Sequence, residues 1–191
     1  MRLAISGAHS TGKSTLIAAF LDRSPGYRHE PEAFELLGDD VELSDSEGPT
    51  ADGLQALLEH TISALTPYGA GARVVFERSP VDYLAYAAAS HSWPPGSVAR
   101  FLEGFVPRVR RSLPSLDLIA LVPVSATGAQ SRADEDPQFR RRVDEALRCA
   151  LLDDDFDLFG DQGSPRVVEL PSHPDRQLAE LTRLATAGPS A

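Results

Sequence analysis

The chain has 191 residues, of which 42% are hydrophobic and 24% charged, and it carries a net charge of −10. This suffices for one domain spanning residues 1–191 with a small excursion, and it excludes two large domains or a mostly disordered chain. An acidic surface repels a phosphate backbone, which makes nucleic acid a poor partner, and the single cysteine, Cys149, excludes an internal disulfide and a cysteine-based zinc cluster.

Met1 and Arg2 precede only Leu3 to Ile5 before polar residues begin, too short for a signal segment, and no apolar run approaches membrane-spanning length. The expectation is a cytoplasmic protein that neither crosses nor binds a membrane. Leu3-Ala4-Ile5 reads as a buried strand, and Leu16, Ile17 and Phe20 recur at helical spacing. Between them, Gly7-Ala8-His9-Ser10-Thr11-Gly12-Lys13-Ser14 fits G-x-x-x-x-G-K-[ST] at every specified position, the phosphate-binding loop of P-loop nucleotide-binding proteins. Of 18 basic residues 17 are arginine, so Lys13 is the single lysine of the chain. A compact ammonium reaches β and γ phosphates where a planar guanidinium does not fit, which accounts for its survival. The motif assigns ATP binding to Gly7, His9, Ser10, Thr11, Gly12, Lys13, Ser14 and Thr15, and Mg2+ ligation to the Ser14 hydroxyl.

Further along, a weak strand surrounds Arg28, and residues 38–53, acidic and without periodicity, read as a mobile loop. Leu54 to Leu65 keep helical spacing, and Val74-Val75-Phe76 is a buried strand ending at Glu77. Ser79-Pro80-Val81-Asp82 has the chemistry of a helix start, so capping competes with any catalytic role for Asp82, as packing does for Tyr83, Tyr86 and His60. Helical patterns follow over Val98–Val109, where Pro107 marks a place to kink or divide, and over Phe139–Leu151 and Leu178–Ala185. Strands are expected at Leu118–Val122 and Val167–Val168, and the tail from Ala187 is expected to fray. Alternating strands and helices imply an α/β fold of three layers, a parallel sheet of about five strands with helices on both faces and ligands at the carboxyl ends of the strands.

A guanine-reading Asn/Thr-Lys-x-Asp element is ruled out, because the chain has no asparagine and no second lysine. The strand Leu118–Val122 ends without Asp-Glu, so the acid of the site is sought at Glu77, which can meet the metal side of the phosphates. Glu77-Arg78-Ser79, Glu30-Pro31 and the arginine-bearing stretch Arg132 to Arg142 resemble the deoxynucleoside and thymidylate kinases. The longer run Glu77 to Tyr86, with Ser10 to Ser14, is similar to ribosylnicotinamide-kinase-like P-loop proteins that carry an AAA-type ATPase label.

This resemblance implies a kinase that uses ATP and Mg2+, with Glu77 near the metal and Lys13 and Arg78 on phosphates. It places Glu30 at the acceptor hydroxyl and Arg132 and Arg140, from a lid at residues 124–142, on the transferring phosphoryl group. Arg176, where related kinases pass a loop over adenine, is expected to stack on the base. The partners expected are ATP and a small-molecule acceptor, and a homodimer is compatible with the reading. Two alternatives remain open: an ATP-hydrolysing switch that acts on a protein partner, and a nucleotide-binding module without turnover.

Overall fold

Strand β1 (Arg2–Ser6) places Leu3, Ala4 and Ile5 at the centre of the molecule with no exposed surface. In this computed structural model, which describes residues 1–37, 43–44, 48–124, 136–160 and 164–188, β1 is the middle strand of five. On one side it pairs with β5 (Val74–Glu77), which in turn pairs with β2 (Arg28–Glu30); on the other it pairs with β6 (Leu118–Leu121), followed by β7 (Arg166–Glu169). Every pairing is parallel, in the order β2-β5-β1-β6-β7, as strand–helix alternation predicts. A separate two-stranded ribbon joins β3 (Leu43–Ser44) to β4 (Gly48–Pro49).

Because side chains alternate across a strand, the sheet has two apolar faces. Leu3, Ile5 and Val75 pack with Leu16, Ile17 and Phe20 of α1 (Lys13–Arg23) and Leu181 and Leu184 of α7 (Pro174–Ala187). Ala4, Val74 and Phe76 face the larger core. It is built from α3 (Ala51–Leu65), α4 (Pro80–Ala89), α5 (Ser97–Ser112) and α6 (Pro137–Leu151). The register matters for chemistry, since Glu77 lies opposite Ile5 and Glu30 opposite Phe76. Two acids at neighbouring strand ends therefore belong to opposite faces.

Two expectations need correction, and one element is new. The loop expected over 38–53 is shorter on its far side, because Thr50 accepts the Gly53 N–H at 3.1 Å and starts α3 at Ala51, with β4 just before it. Residues 38–42 and 45–47 lie outside the described residues. A short helix not foreseen, α2 (Ala33–Leu37), follows β2. Helix α5 is not divided at Pro107; it runs through the proline, which is exposed, so water can take up the carbonyl that a proline leaves unbonded. The tail beyond Gly188 and lid residues 125–135 lie outside the described residues.

Candidate active site

The phosphate loop joins β1 to α1 through backbone turns that its glycines permit. Gly12 has φ +88 and stands just before the first turn of α1, and a Cβ on Gly7 would approach the Val122 carbonyl oxygen to 2.7 Å. Lys13 is only 4% exposed, and its Nζ donates to the Ala8 carbonyl at 2.7 Å. Burial, reinforced by the Arg78 charge, lowers its pKa to about 7, with Glu32, Asp82 and Glu77 opposing. Thr11 Oγ1 donates to the same Ala8 carbonyl at 2.9 Å. Ser10 has φ +54, a left-handed turn within the loop, while Thr15 is exposed at the start of α1.

Arg78, at the end of β5, has φ +77, uncommon for a residue with a side chain. Its guanidinium over-determines that conformation. Nη1 donates to the Gly7 carbonyl at 2.9 Å and to Asp82 Oδ1 at 3.3 Å, Nη2 donates to the Tyr86 hydroxyl at 3.2 Å, and Nε donates to Glu32. Burial would lower the pKa of this arginine, yet Glu32, Tyr86 and Asp82 outweigh it and keep the guanidinium firmly charged. Asp82 completes the capping box of α4 with Ser79 and, beyond that, accepts the Gly7 N–H at 3.0 Å. Capping and a hydrogen bond to the loop backbone are thus both present in one carboxylate.

Two carboxylates flank the loop. On the α1 face, Ser14 Oγ donates to Glu77 Oε1 at 2.7 Å. Glu77 Oε2 is buried and has no hydrogen-bond partner among the described residues, although His29 Nε2 lies 3.5 Å away. A hydroxyl and an orphaned carboxylate oxygen are hard donors of the type Mg2+ takes, so this pair fits the metal that the fold implies. The other carboxylate beside the loop is Glu32. Glu30 is engaged by the Tyr68 hydroxyl, three residues beyond α3, whereas Glu32 bonds Arg78. Burial works to raise the Glu32 carboxyl, but the Arg78 guanidinium, with Lys13 and His9 behind it, holds it below the usual carboxylate range.

Of the expected arginines, Arg132 lies outside the described residues. Arg140, in the first turn of α6, has Nε and Nη1 buried without a partner among the described residues. It follows Phe139, whose ring stacks on the His9 ring at 6.2 Å, so α6 adjoins the phosphate loop. Arg176 is exposed near the start of α7. Sequence reasoning did not single out Glu32 as the partner of Arg78, nor the reach of Asp82 and Tyr86 to the loop. The signal for those two was the spacing Arg78, Asp82, Tyr86, an i, i+4 row that begins one residue before the cap of α4.

A protein-family model described as an AAA domain matches residues 2–159. The chain belongs to this AAA-domain family. Among solved structures, deoxyadenosine kinase from M. mycoides with dCMP and a flexible dCDP bound is similar with a TM-score of 0.71. It shares 13% identity, covering 98% of this chain and all of that one. The same enzyme with bound dATP gives 0.63 at 14%, covering 96% and 97%. Thymidylate kinase from Candida albicans gives 0.60 at 14%, covering 97% and 90%. No curated protein matches. At these identities the likeness establishes the fold: this AAA-domain chain has the architecture of P-loop nucleoside and nucleotide kinases, as its motifs imply. No helix of the described residues is long and apolar enough to cross a membrane.

Proposed function

We propose that the protein transfers the γ-phosphoryl group of ATP to a hydroxyl of a small metabolite, a nucleoside or a ribosylnicotinamide-like riboside. One observation carries the reading: carboxylates flank the phosphate loop on both sides, Glu77 bonded to Ser14 and Glu32 bonded to Arg78. A switch that only hydrolyses ATP needs the first. The second provides a fixed hydrogen-bond acceptor beside the loop, where an attacking hydroxyl would approach.

In this mechanism the loop backbone and Lys13 bind the β and γ phosphates, and phosphate oxygens replace the Ala8 carbonyl as the partner of Nζ. Anionic oxygens also restore the full charge that burial weakens. Ser14 and Glu77 would hold Mg2+, which when bound supplies positive charge to the phosphates. Glu32 accepts a hydrogen bond from the acceptor hydroxyl and receives its proton as the new oxygen–phosphorus bond forms and the bond to the leaving ADP oxygen breaks. Arg78 orients Glu32 and adds its charge close to Lys13, and Arg140 turns its guanidinium to the moving phosphoryl group. Arg132 remains a second candidate for that group, and Arg176 for the adenine face.

Labelled γ-phosphate, offered with a panel of nucleosides, nucleotides and ribosides, tests this. Label in an identified acceptor product is the expected result. Hydrolysis with no transfer to any of them would instead favour a switch acting on a protein partner.

A further inference from the structure

The Tyr86 hydroxyl stands at a three-way junction behind the phosphate loop. It accepts the His9 N–H at 3.1 Å and Arg78 Nη2–H at 3.2 Å, and it lies 3.3 Å from His9 Nδ1. A phenol has two acceptor sites and one proton, so these contacts balance when that proton is donated to an unprotonated Nδ1. The Tyr86 ring meets Phe139 of α6 edge-on at 5.9 Å, and the same Phe139 stacks on His9 with an interplanar angle of 22°. Three aromatic rings therefore join α4, the phosphate loop and the first turn of α6. Arg140 is the next residue along α6, and two of its nitrogens lack partners among the described residues.

We propose that Tyr86 is a positioning residue that fixes His9 in the phosphate loop and, through Phe139, makes the first turn of α6 with Arg140 follow the state of that loop. The inference rests on the kinase reading only for what Arg140 does once placed. The mechanical part follows from contacts that are independent of any acceptor. Aromatic pairs of this type add directional contact to burial, and here they tie the first turn of α6 to the phosphate loop. Helices α4 and α6 also pack along their lengths, with Arg142 Nε donating to the Ala89 carbonyl at 3.3 Å. The junction at Tyr86 is the point where that packing reaches the loop.

Amide hydrogen exchange with and without ATPγS tests this in the full chain. In Tyr86→Phe, which keeps the ring, the His9 amide should exchange about tenfold faster in the free protein, the effect of one lost hydrogen bond. Protection of residues 138–142 on adding ATPγS should be reduced relative to the wild type. In Phe139→Leu the His9 amide should exchange at the wild-type rate, while the response at 138–142 is again reduced. Unchanged exchange at His9 and an unchanged response at 138–142 in Tyr86→Phe would overturn the proposal. None of these readouts needs phosphoryl transfer, so they separate this inference from the kinase reading. Where an acceptor is identified, Tyr86→Phe should lower kcat about tenfold or more with the acceptor KM within about twofold, the pattern of lost positioning and not of lost binding.

Discussion

Asp82 ties the helix behind the site to the loop in front of it, accepting the Gly7 N–H on Oδ1 at 3.0 Å. Its other oxygen takes the N–H and hydroxyl of Ser79 at 2.9 and 3.0 Å, so a carboxylate with no exposed surface is fully bonded. The Arg78 guanidinium depends on it as a counter-charge. In Asp82→Asn an amide N–H faces these donors and the arginine loses one of two carboxylates. Stability in urea should fall by about 3 kcal/mol, in the range for a broken buried pair, and ATP affinity by calorimetry should fall with it.

Gly7 and Gly12 are both glycines of the motif, yet they are required for different reasons. At Gly12 there is open space around a new Cβ, so Gly12→Ala should cost only the left-handed backbone, about 1–2 kcal/mol. At Gly7 the obstacle is the Val122 backbone carbonyl, held in place because Val122 N–H bonds the Ser6 carbonyl at 2.8 Å. Gly7→Ala should therefore destabilise more than Gly12→Ala. Thermal unfolding of the two variants side by side checks the order.

The sheet was legible because its central strands are short apolar runs and its helices repeat every three to four residues. The phosphate loop was legible because backbone chemistry constrains its spacing tightly. Which acid meets the Arg78 guanidinium was not, since Glu30 and Glu32 share one short segment and their difference lies in distant partners. Tyr68, 38 positions away, takes one, and Arg78, 46 positions away, takes the other. Tyr86 was similarly hidden: a buried tyrosine reads as core until its hydroxyl is seen to meet the His9 amide.

That difference is testable. Glu32→Gln keeps size but removes the proton acceptor, so phosphoryl transfer should fall by roughly 10²- to 10⁴-fold while ATP binding is largely retained. Glu30→Gln leaves an amide oxygen to accept from Tyr68, and transfer should change far less. Single-turnover transfer and ATP affinity, measured in both variants, decide between them. A larger loss in Glu30→Gln would return the role to Glu30.

The last expectation concerns stability away from the site. At the opposite end of the sheet, Asp117 accepts the Arg2 backbone N–H at 2.7 Å and Arg2 Nη2–H at 2.6 Å, joining the starts of β1 and β6. Burial works to raise its carboxyl, but the bonds from Arg2 outweigh this and hold it below the ordinary value. A carboxyl with a depressed pKa in the folded state stabilises at pH values above its unfolded pKa, near 3.9, and that contribution is lost as pH falls through the folded value. Asp117→Asn should therefore cost about 1.5–3 kcal/mol at pH 7, the range for hydrogen bonds to a charged group. The deficit relative to the wild type should begin to shrink below about pH 4, as the unfolded wild-type chain takes up its proton, and should disappear only once pH passes the lower folded value. Urea unfolding of both proteins at pH 7 and pH 3 measures it, and a deficit of equal size at the two pH values would mean that the aspartate acts through shape and not through charge. ATP affinity of the variant at pH 7 should match the wild type, because Asp117 is at the far end of β6 from the phosphate loop.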